Sequence, residues 1–413
     1  MNPLIELTSL PAEELKRRGI EHTPKEILSQ PSLWIKSFNL LKERGDEIRS
    51  FVEDKILSKK NSRVILSGAG TSHFIGLSSE DLLRSMWQVD VEARASTDIV
   101  TGWKSIFLKN MDTTLISFSR SGNSPESVGA FLLADEWCER INHVIVTCNK
   151  NGRLASLKSR REAEEKNVLR IVLPEEANDK GLAMTASFTT MVMTAQFLAY
   201  IKDLENFGRI IQRASKSAEK ILREYAGLIK EIADLDFERG FFLGTGPLYG
   251  CAAESHLKLQ ELTAGRIICK FDSFLGIRHG PKVAINDKTI AVYFVSSDPF
   301  VRRYELDLMK DIYERKLGLT KIAVCCGSEN EIERYVDHVI DVSCGGRHGI
   351  PDLCRPNVDV IVGQLLGLFT SLKLGLKPDT PSEEGVITRV VEGVKIYDHK
   401  AFKDAKQFKV IIQ

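Results

Sequence analysis

The cysteines of this 413-residue chain lack the spacing that metal sites and disulfide-rich proteins use. None of the eight belongs to a CxxC pair, so we expect no bound metal. A disulfide framework is typical of short secreted chains and is not expected at this length. The pattern favours a protein of a reducing compartment.

Charge of one sign and long apolar runs are also missing. Lys and Arg number 57 against 56 Asp and Glu, a formal net charge of +1, which leaves no electrostatic footprint for nucleic-acid binding. No run approaches the roughly 18 apolar residues that indicate a membrane-spanning helix. The opening residues, MNPLIELTSLPAEELKRRG, contain no apolar core of signal-peptide length. Together these absences predict a cytoplasmic location, with neither a nucleic acid nor a membrane as partner.

What the sequence does contain is a series of short apolar runs, each followed by a helical stretch. They are rich in Val, Ile, Leu and Phe, which is typical of strands buried on both faces of a parallel sheet. The eight predicted strands are Arg63–Ser67, Thr114–Phe118, Val144–Thr147 and Val168–Leu173, then Gly240–Leu243, Thr289–Val295, Lys321–Val324 and His338–Val342.

The two groups of four strands repeat each other at a nearly constant interval. Gly68 and Gly244, in the loops GAG and GTG, are as far apart in sequence as Phe118 and Phe294. A third pair, in the next strand of each group, differs from this interval by two residues. These matches in register predict an internal duplication of a doubly wound α/β unit.

The duplication divides the chain into four parts. We expect an N-terminal helical segment at 1–50, a first domain at 51–210, a second at 215–375 and a tail at 376–413. The helical stretch at 209–232 would join the two domains. Since ligands of such sheets bind beyond the carboxyl ends of the strands, the candidate site residues are those that directly follow a strand.

The loop SRSGNSPE at 119–126 follows the second predicted strand. It offers the hydroxyls of Ser119, Ser121 and Ser124 and several backbone N–H groups, directly before a helix start at Pro125. A helix N-terminus with such donors is an anion site, whereas an ordinary capped turn needs only one serine. We interpret this loop as a phosphate-binding loop.

A second loop, GAGTS at 68–72, follows the first strand and adds the hydroxyls of Thr71 and Ser72. Its GxG is not the full GxGxxG fingerprint and no acidic residue ends the next strand, so NAD is disfavoured and no cofactor is expected. In the second domain the loop that matches 119–126 is SSDP at 296–299, where Asp298 would repel a phosphate. One chain should therefore bind one phosphate, through its first domain.

Two features of the second domain point to proton-transfer chemistry. Glu254, Lys258 and Glu261 share one face of a helix predicted at 248–263, although by spacing alone this is equally a solvated face. His279 precedes a Gly-Pro turn, and histidine is the side chain best suited to proton transfer near neutral pH. A loop histidine is by default a surface residue, so the residues alone leave its role open.

These loops, together with Glu254, Glu261 and RHGP at 278–281, resemble the sugar isomerase (SIS) family. The chain is most similar to AgaS-type galactosamine-6-phosphate deaminase/isomerases, once called tagatose-6-phosphate ketose/aldose isomerases. The similarity covers nearly the whole chain and includes TPKEILSQPSLW at 23–34, NDKGLAMTASFTT at 178–190, DSFLGIRHGP at 272–281, LGLKPDTP at 374–381 and RVVEGV at 389–394. It implies an α/β fold of two tandem SIS domains, each a doubly wound, mostly parallel sheet flanked by helices.

The resemblance also implies a role for each candidate residue. By motif, Glu261 matches the carboxylate that moves a proton between C1 and C2 of the sugar, and His279 the histidine assigned to ring opening. The remaining matches are substrate and phosphate contacts, namely Thr71, Ser72, Ser119, Ser121, Ser124, Leu182 and Thr185. The implied reaction converts galactosamine 6-phosphate into tagatose 6-phosphate and ammonia.

Two other functions stay open at this point. A neutral aldose phosphate would undergo plain aldose–ketose isomerisation through the same residues, and a non-catalytic sensor would bind the sugar phosphate without using Glu261 or His279. The resemblance further implies a homodimer with its site at the subunit boundary, where His279 would serve the partner. Two departures from the related synthases concern ring opening: Gly393 stands at their closing lysine, with Lys395 two residues on, and Gly276 stands at an acidic position.

Overall fold

The computed structural model describes residues 2–160, 166–327, 330–344, 349–391, 393–399 and 410–412. The chain begins with four helices that pack against the two α/β units, followed by one π-helical turn at Glu53–Leu57. These helices are α1 (Pro3–Thr8), α2 (Ala12–Arg18), α3 (Thr23–Glu43) and α4 (Gly45–Val52).

The first sheet has five strands in the order β2-β1-β3-β4-β5, and every neighbouring pair is parallel. Its strands are β1 (Ser62–Gly68), β2 (Asp90–Ala95), β3 (Asp112–Ser119), β4 (Arg140–Thr147) and β5 (Val168–Val172). The helices that follow them are α5 (Thr71–Leu77), α6 (Glu80–Trp87), α7 (Ser96–Ile106), α8 (Pro125–Trp137), α9 (Arg153–Ser156) and α10 (Ala186–Ala199).

The second sheet repeats this arrangement. Its order, β7-β6-β8-β9-β10, is the same topology when each strand is matched to its counterpart, and all its pairs are parallel. The predicted duplication of a doubly wound unit is therefore confirmed. The strands are β6 (Arg239–Gly244), β7 (Ile268–Asp272), β8 (Thr289–Phe294), β9 (Thr320–Cys325) and β10 (His338–Asp341), and the helices are α13 (Pro247–Leu262), α14 (Pro299–Glu314), α15 (Asn330–Glu333) and α16 (Pro356–Lys373).

The sequence pattern identified eight of these ten strands and missed β2 and β7. Both are edge strands, each hydrogen-bonded only to the first strand of its sheet. Half or more of their side chains are partly or fully exposed, and Ile268 is 62% exposed. They therefore lack the continuous apolar run from which the other strands were recognised.

A continuous helical rod joins the two sheets, as predicted for 209–232. It consists of α11 (Leu204–Lys220), a π-helical turn at Ile221–Tyr225 and α12 (Ala226–Ala233). Beside it, α10 is buried along its whole length and α16 along all but its final residues, so these two helices form the centre of the molecule. None of the described helices is both long and apolar enough to cross a membrane.

Helix α13 is held between α5 of the first domain and α16 of the second. Glycines make this possible: a Cβ on Gly250 would lie 2.4 Å from the backbone nitrogen of Ser78, and one on Gly363 would lie 2.5 Å from the side chain of Ser255. The backbones therefore approach too closely for any larger residue. This packing places the face of α13 that carries Glu254 and Lys258 inside the molecule.

Candidate active site

Both candidate substrate loops lie at the carboxyl edge of the first sheet. The loop at 68–72 follows β1 and the loop at 119–126 follows β3, and β1 and β3 are hydrogen-bonded neighbours. Each loop turns through a glycine with a left-handed φ, +56° at Gly70 and +66° at Gly122. The two loops therefore face one crevice above the sheet, as the strand order of a doubly wound fold dictates.

The hydroxyls of the 119–126 loop divide into two groups. Ser119 Oγ accepts a hydrogen bond from the Gly122 N–H at 3.1 Å, and Ser121 Oγ accepts one from the Asn123 N–H at 3.2 Å. Both hydroxyls therefore keep their own proton for donation to an anion. Ser124 Oγ instead donates to Glu126 Oε2 at 2.6 Å, at the N-terminus of α8.

A loop after β4 fixes the shape of this phosphate loop, and the sequence did not indicate it. Asn149 Nδ2 donates to the carbonyl oxygen of Ser121 at 2.8 Å, and the Leu154 N–H donates to the carbonyl oxygen of Gly122 at 2.8 Å. A Cβ on Gly152 would lie 2.6 Å from the Ser121 carbonyl oxygen. Only a glycine allows the two loops to pack this closely.

The carboxylates of α13 form a buried ion-pair network that reaches the first domain. Lys258 Nζ lies 2.6 Å from Glu261 Oε2 and 3.2 Å from Glu254 Oε1. The Thr71 hydroxyl lies 3.2 Å from Lys258 Nζ and 3.3 Å from Glu254 Oε1. Glu254 and Lys258 are fully buried, whereas the Glu261 side chain is 25% exposed. The helix face that spacing alone left open is thus an interior face, and of these three side chains only that of Glu261 is partly exposed.

The pKa values of this network follow from its burial. Burial raises the pKa of Glu254 to about 8, against the opposing pull of Lys258. Burial alone would lower the pKa of Lys258, but the two flanking carboxylates outweigh it and raise the pKa. The ammonium therefore persists, and with Glu254 protonated near neutral pH it pairs with the Glu261 carboxylate.

Glu261 opens onto a cavity of about 500 Å³. One wall is the last turn of α13 with Gln260 and Arg266 beyond it. The other is formed by residues 381–387, the first part of a C-terminal segment at 381–391 that we call the strap. Glu383, Glu384 and Ile387 of the strap line the cavity. The sequence predicted Glu261 as a site residue, but it gave no indication that the strap would lie beside it.

His279 does not join this constellation within one chain. It ends a 3-10 turn (Gly276–His279) after β7, is exposed, and makes no hydrogen bond or ion pair with any described residue. Gly276, the second departure noted above, packs against Asp272: a Cβ there would lie 2.4 Å from Asp272 Oδ1, so a larger residue would require that side chain to shift.

Leu182 and Thr185 lie in a segment organised by Asp179. The Asp179 carboxylate caps α10, accepting hydrogen bonds from the Thr185 N–H at 2.8 Å and from the Thr185 hydroxyl at 2.9 Å. The Leu182 N–H donates to the carbonyl oxygen of Asp379 at 3.0 Å, and Asp379 also caps α3 through Thr23. Three of the segments that carry the family resemblance are therefore tied together here.

Two arginines that sequence reasoning passed over hold the phosphate loop, this segment and the strap together. Arg120 donates to the carbonyl oxygens of Leu182 at 3.1 Å and Arg389 at 2.7 Å. Arg389 in turn donates to the carbonyl oxygen of Asp179 and to Asn178 Oδ1, each at 2.9 Å. Of the tail beyond the strap, Gly393 and Lys395 are exposed, and Glu392 lies outside the described residues.

The corresponding loop of the second domain is filled with acidic groups. Asp298 caps α14 by accepting from the Phe300 N–H at 2.8 Å, and Ser296 Oγ donates to Asp352 Oδ2 at 2.5 Å. The hydroxyl proton of Ser296 is therefore engaged, and the carboxylates of Asp298 and Asp352 give this loop a negative charge. The acidic loop supports the interpretation that only the first domain binds phosphate. Among the described residues no group of His, Cys, Asp and Glu is placed to hold a metal ion.

Comparisons with known proteins found relatives that match over most of the chain. No family model matches the chain. The D-galactosamine-6-phosphate deaminase AgaS of Escherichia coli O157:H7 is 35% identical over 389 residues, covering 92% of this chain and 96% of the relative. The protein of the same name from Shewanella sp. (strain ANA-3) is 34% identical over 397 residues, covering 94% and 95%. A solved structure of tagatose-6-phosphate ketose/aldose isomerase from Escherichia coli has a TM-score of 0.81 at 34% identity, covering 92% of this chain and 97% of that one.

Proposed function

Because the chain belongs to the AgaS family of D-galactosamine-6-phosphate deaminases, we propose that it converts galactosamine 6-phosphate and water into tagatose 6-phosphate and ammonia. Its two doubly wound domains are SIS domains. The observation that carries the proposal is the position of Glu261, which is ion-paired to a buried lysine and lines a cavity of about 500 Å³. A sensor would need no such carboxylate, because phosphate binding makes no use of it.

The phosphate dianion of the substrate binds to the 119–126 loop. The free hydroxyl protons of Ser119 and Ser121 donate to it, and so do backbone N–H groups at the start of α8. Binding energy gained here, away from the reacting carbons, positions C1 and C2 against Glu261. Thr71, Ser72, Ser124, Leu182 and Thr185 stay proposed substrate contacts.

Proton transfer at C1 and C2 follows ring opening, in which His279 moves a proton from the C1 hydroxyl to the ring oxygen. Glu261 then removes the proton from C2 of the open-chain aldehyde while the C1 oxygen takes a proton from the ammonium group at C2, which gives an enolamine. Glu261 next delivers its proton to C1. The product is an iminium at C2. Water adds to this carbon, the C–N bond breaks, and ammonia leaves a ketone behind.

We further propose that the working enzyme is a homodimer, with His279 of each chain serving the site of the other. Support comes from its exposure and from its lack of any contact with Glu261 in the same chain. A cytoplasmic location is consistent with the thiols, since all eight cysteines are free.

Plain aldose–ketose isomerisation is the second candidate, because the solved relative from Escherichia coli is described as an isomerase. It needs the same Glu261 and His279 and differs only in having a hydroxyl at C2. The deciding experiment measures ammonia release by a coupled assay from galactosamine 6-phosphate and glucosamine 6-phosphate, with Glu261→Gln as the control variant.

Release that depends on Glu261 would establish the deaminase and identify the preferred epimer. If no ammonia is formed while galactose 6-phosphate becomes tagatose 6-phosphate, the isomerase is the right assignment. If neither sugar is converted but both raise the melting temperature, the chain is a sensor.

A further inference from the structure

The phosphate loop itself contains a buried arginine, Arg120, that makes no direct ion pair with the described residues. Arg120 is only 6% exposed, and its guanidinium contacts three carbonyl oxygens, those of Gly181, Leu182 and Arg389. Within the described ranges it makes no ion pair. Carbonyl oxygens satisfy N–H donors but do not neutralise the charge, and an unneutralised buried charge is costly.

The neighbouring Arg389 brings a second guanidinium to this region. It also makes no ion pair in the part of the chain that the structure describes, and its guanidinium is held by the carbonyl oxygen of Asp179 and by Asn178. The Asp179 carboxylate accepts its hydrogen bonds from the N-terminus of α10 and not from either arginine. Burial lowers the pKa of Arg120, the Asp179 charge opposes this, and Arg389 lowers the pKa further while Glu261 raises it.

The second domain provides an internal comparison. Behind its 296–299 loop lies Arg355, which is fully buried and donates to the carbonyl oxygen of Val295 at 2.8 Å. The Arg355 guanidinium forms ion pairs with two carboxylates, that of Asp352 at 2.9 Å and that of Asp359 at 2.6 Å. The copy with the acidic loop thus has an arginine with two direct ion pairs, and the copy with the serine loop has one with no ion pair to a described residue.

We propose that Arg120 and Arg389 are positioning residues, through which a phosphate dianion bound at the serine loop orders the strap over the cavity beside Glu261. The proposal rests on the proposed function, since it takes the phosphate of the substrate as the further anion that acts on these two arginines. Arg120 donates to the main chain of Arg389, and the Arg389 side chain anchors the strap at Asn178. A dianion neutralises the repulsion between the two guanidinium groups and so strengthens both sets of hydrogen bonds.

Hydrogen–deuterium exchange of the strap tests this coupling, with inorganic phosphate and galactosamine 6-phosphate as separate probes. The variants are Arg120→Gln, which removes the buried charge, and Arg389→Lys, which keeps the charge but cannot contact both Asn178 and Asp179 as a fork. Lys180→Gln is the matched control, because it removes a positive charge from the same segment, where the ammonium is half-exposed and paired with Glu175.

We expect phosphate to slow exchange of residues 382–391 in the wild type and in Lys180→Gln, and not in the other two variants. The inhibition constant of inorganic phosphate should rise about tenfold in Arg120→Gln, as should KM, since a charge-assisted interaction is lost. A purely structural role would lower the melting temperature and leave this constant unchanged. If Arg120→Gln does not fold, Arg389→Lys decides alone.

The proposal is wrong if phosphate leaves strap exchange unchanged in the wild type, or slows it equally in both arginine variants. Its failure differs from failure of the proposed function. If the wild type releases no ammonia but phosphate still orders the strap through the two arginines, the coupling stands and the substrate assignment does not.

Discussion

Replacing Glu254 with glutamine should make stability less dependent on pH between pH 5 and pH 8. The carboxyl group is fully buried beside Lys258, and burial raises its pKa from 4.5 to about 8. A glutamine side chain has the same shape as that of glutamate, but it is uncharged and does not titrate. It therefore mimics the protonated acid, the form that the folded protein holds at neutral pH.

The sign and size of the effect follow from linkage. Because the pKa is higher in the folded protein, the folded state binds this proton more tightly than the unfolded chain. The free energy of unfolding of the wild type then falls as the pH rises from the unfolded pKa towards the folded one. One pKa unit corresponds to about 1.4 kcal/mol, so the loss between pH 5 and pH 8 is roughly 3 to 4 kcal/mol.

Urea unfolding of both proteins at half-unit pH intervals measures this difference. We expect Glu254→Gln to gain stability relative to the wild type steadily with pH, by the amount given above. Glu383→Gln, on the exposed strap, is a control that removes a carboxylate outside the buried network. A constant difference between Glu254→Gln and wild type across the range would refute the idea that Glu254 holds a proton and leaves Lys258 to Glu261.

Three further predictions concern catalysis, binding and packing. Glu261→Gln should lower kcat for ammonia release by about 10²- to 10⁴-fold with little change in phosphate inhibition, since the carboxylate moves protons and does not hold the phosphate. Ser119→Ala should raise KM by about ten- to a hundredfold through loss of a donor to the dianion, whereas Ser296→Ala in the acidic counterpart loop should leave KM unchanged in the same assay. Gly250→Ala should lower the free energy of unfolding by about 1–3 kcal/mol, because its Cβ would lie 2.4 Å from the backbone nitrogen of Ser78. Gly227→Ala is the control and should not destabilise the protein, because no atom lies within 4 Å of a Cβ there. The urea midpoints of the two variants measure the difference.

The candidate site was predictable wherever its groups are contiguous in sequence. A run of serines that follows an apolar strand is expected at the carboxyl edge of a parallel sheet. Where a helix starts directly after it, the run is also expected to bind an anion. Ser119 and Ser121 could therefore be proposed from the sequence alone. The strands were predicted in the same way. Each central strand is buried and therefore apolar in composition, whereas the exposed edge strands β2 and β7 have mixed compositions that do not identify them.

The face of α13 shows where this reasoning stops. Spacing places Glu254, Lys258 and Glu261 on one side of a helix and leaves open whether that side meets water or protein. The fold decides, because α5 and α16 cover the helix at its glycine contacts. Because this face is buried, the three charged side chains form an ion-pair network in which only Glu261 is partly exposed.

By itself the sequence determined the duplicated α/β fold, because burial and strand order show in local patterns. The serine loop was proposed from its local pattern as a phosphate site, and the resemblance to a known family supplied the proposed role of Glu261. Only the tertiary structure decided which charges are buried and which segments meet. Arg120 donates to a carbonyl 269 residues away, and no local pattern encodes such a contact. The absence of a direct ion pair to Arg120 within the described residues becomes visible only once the chain is folded, because ion pairing depends on distance in space.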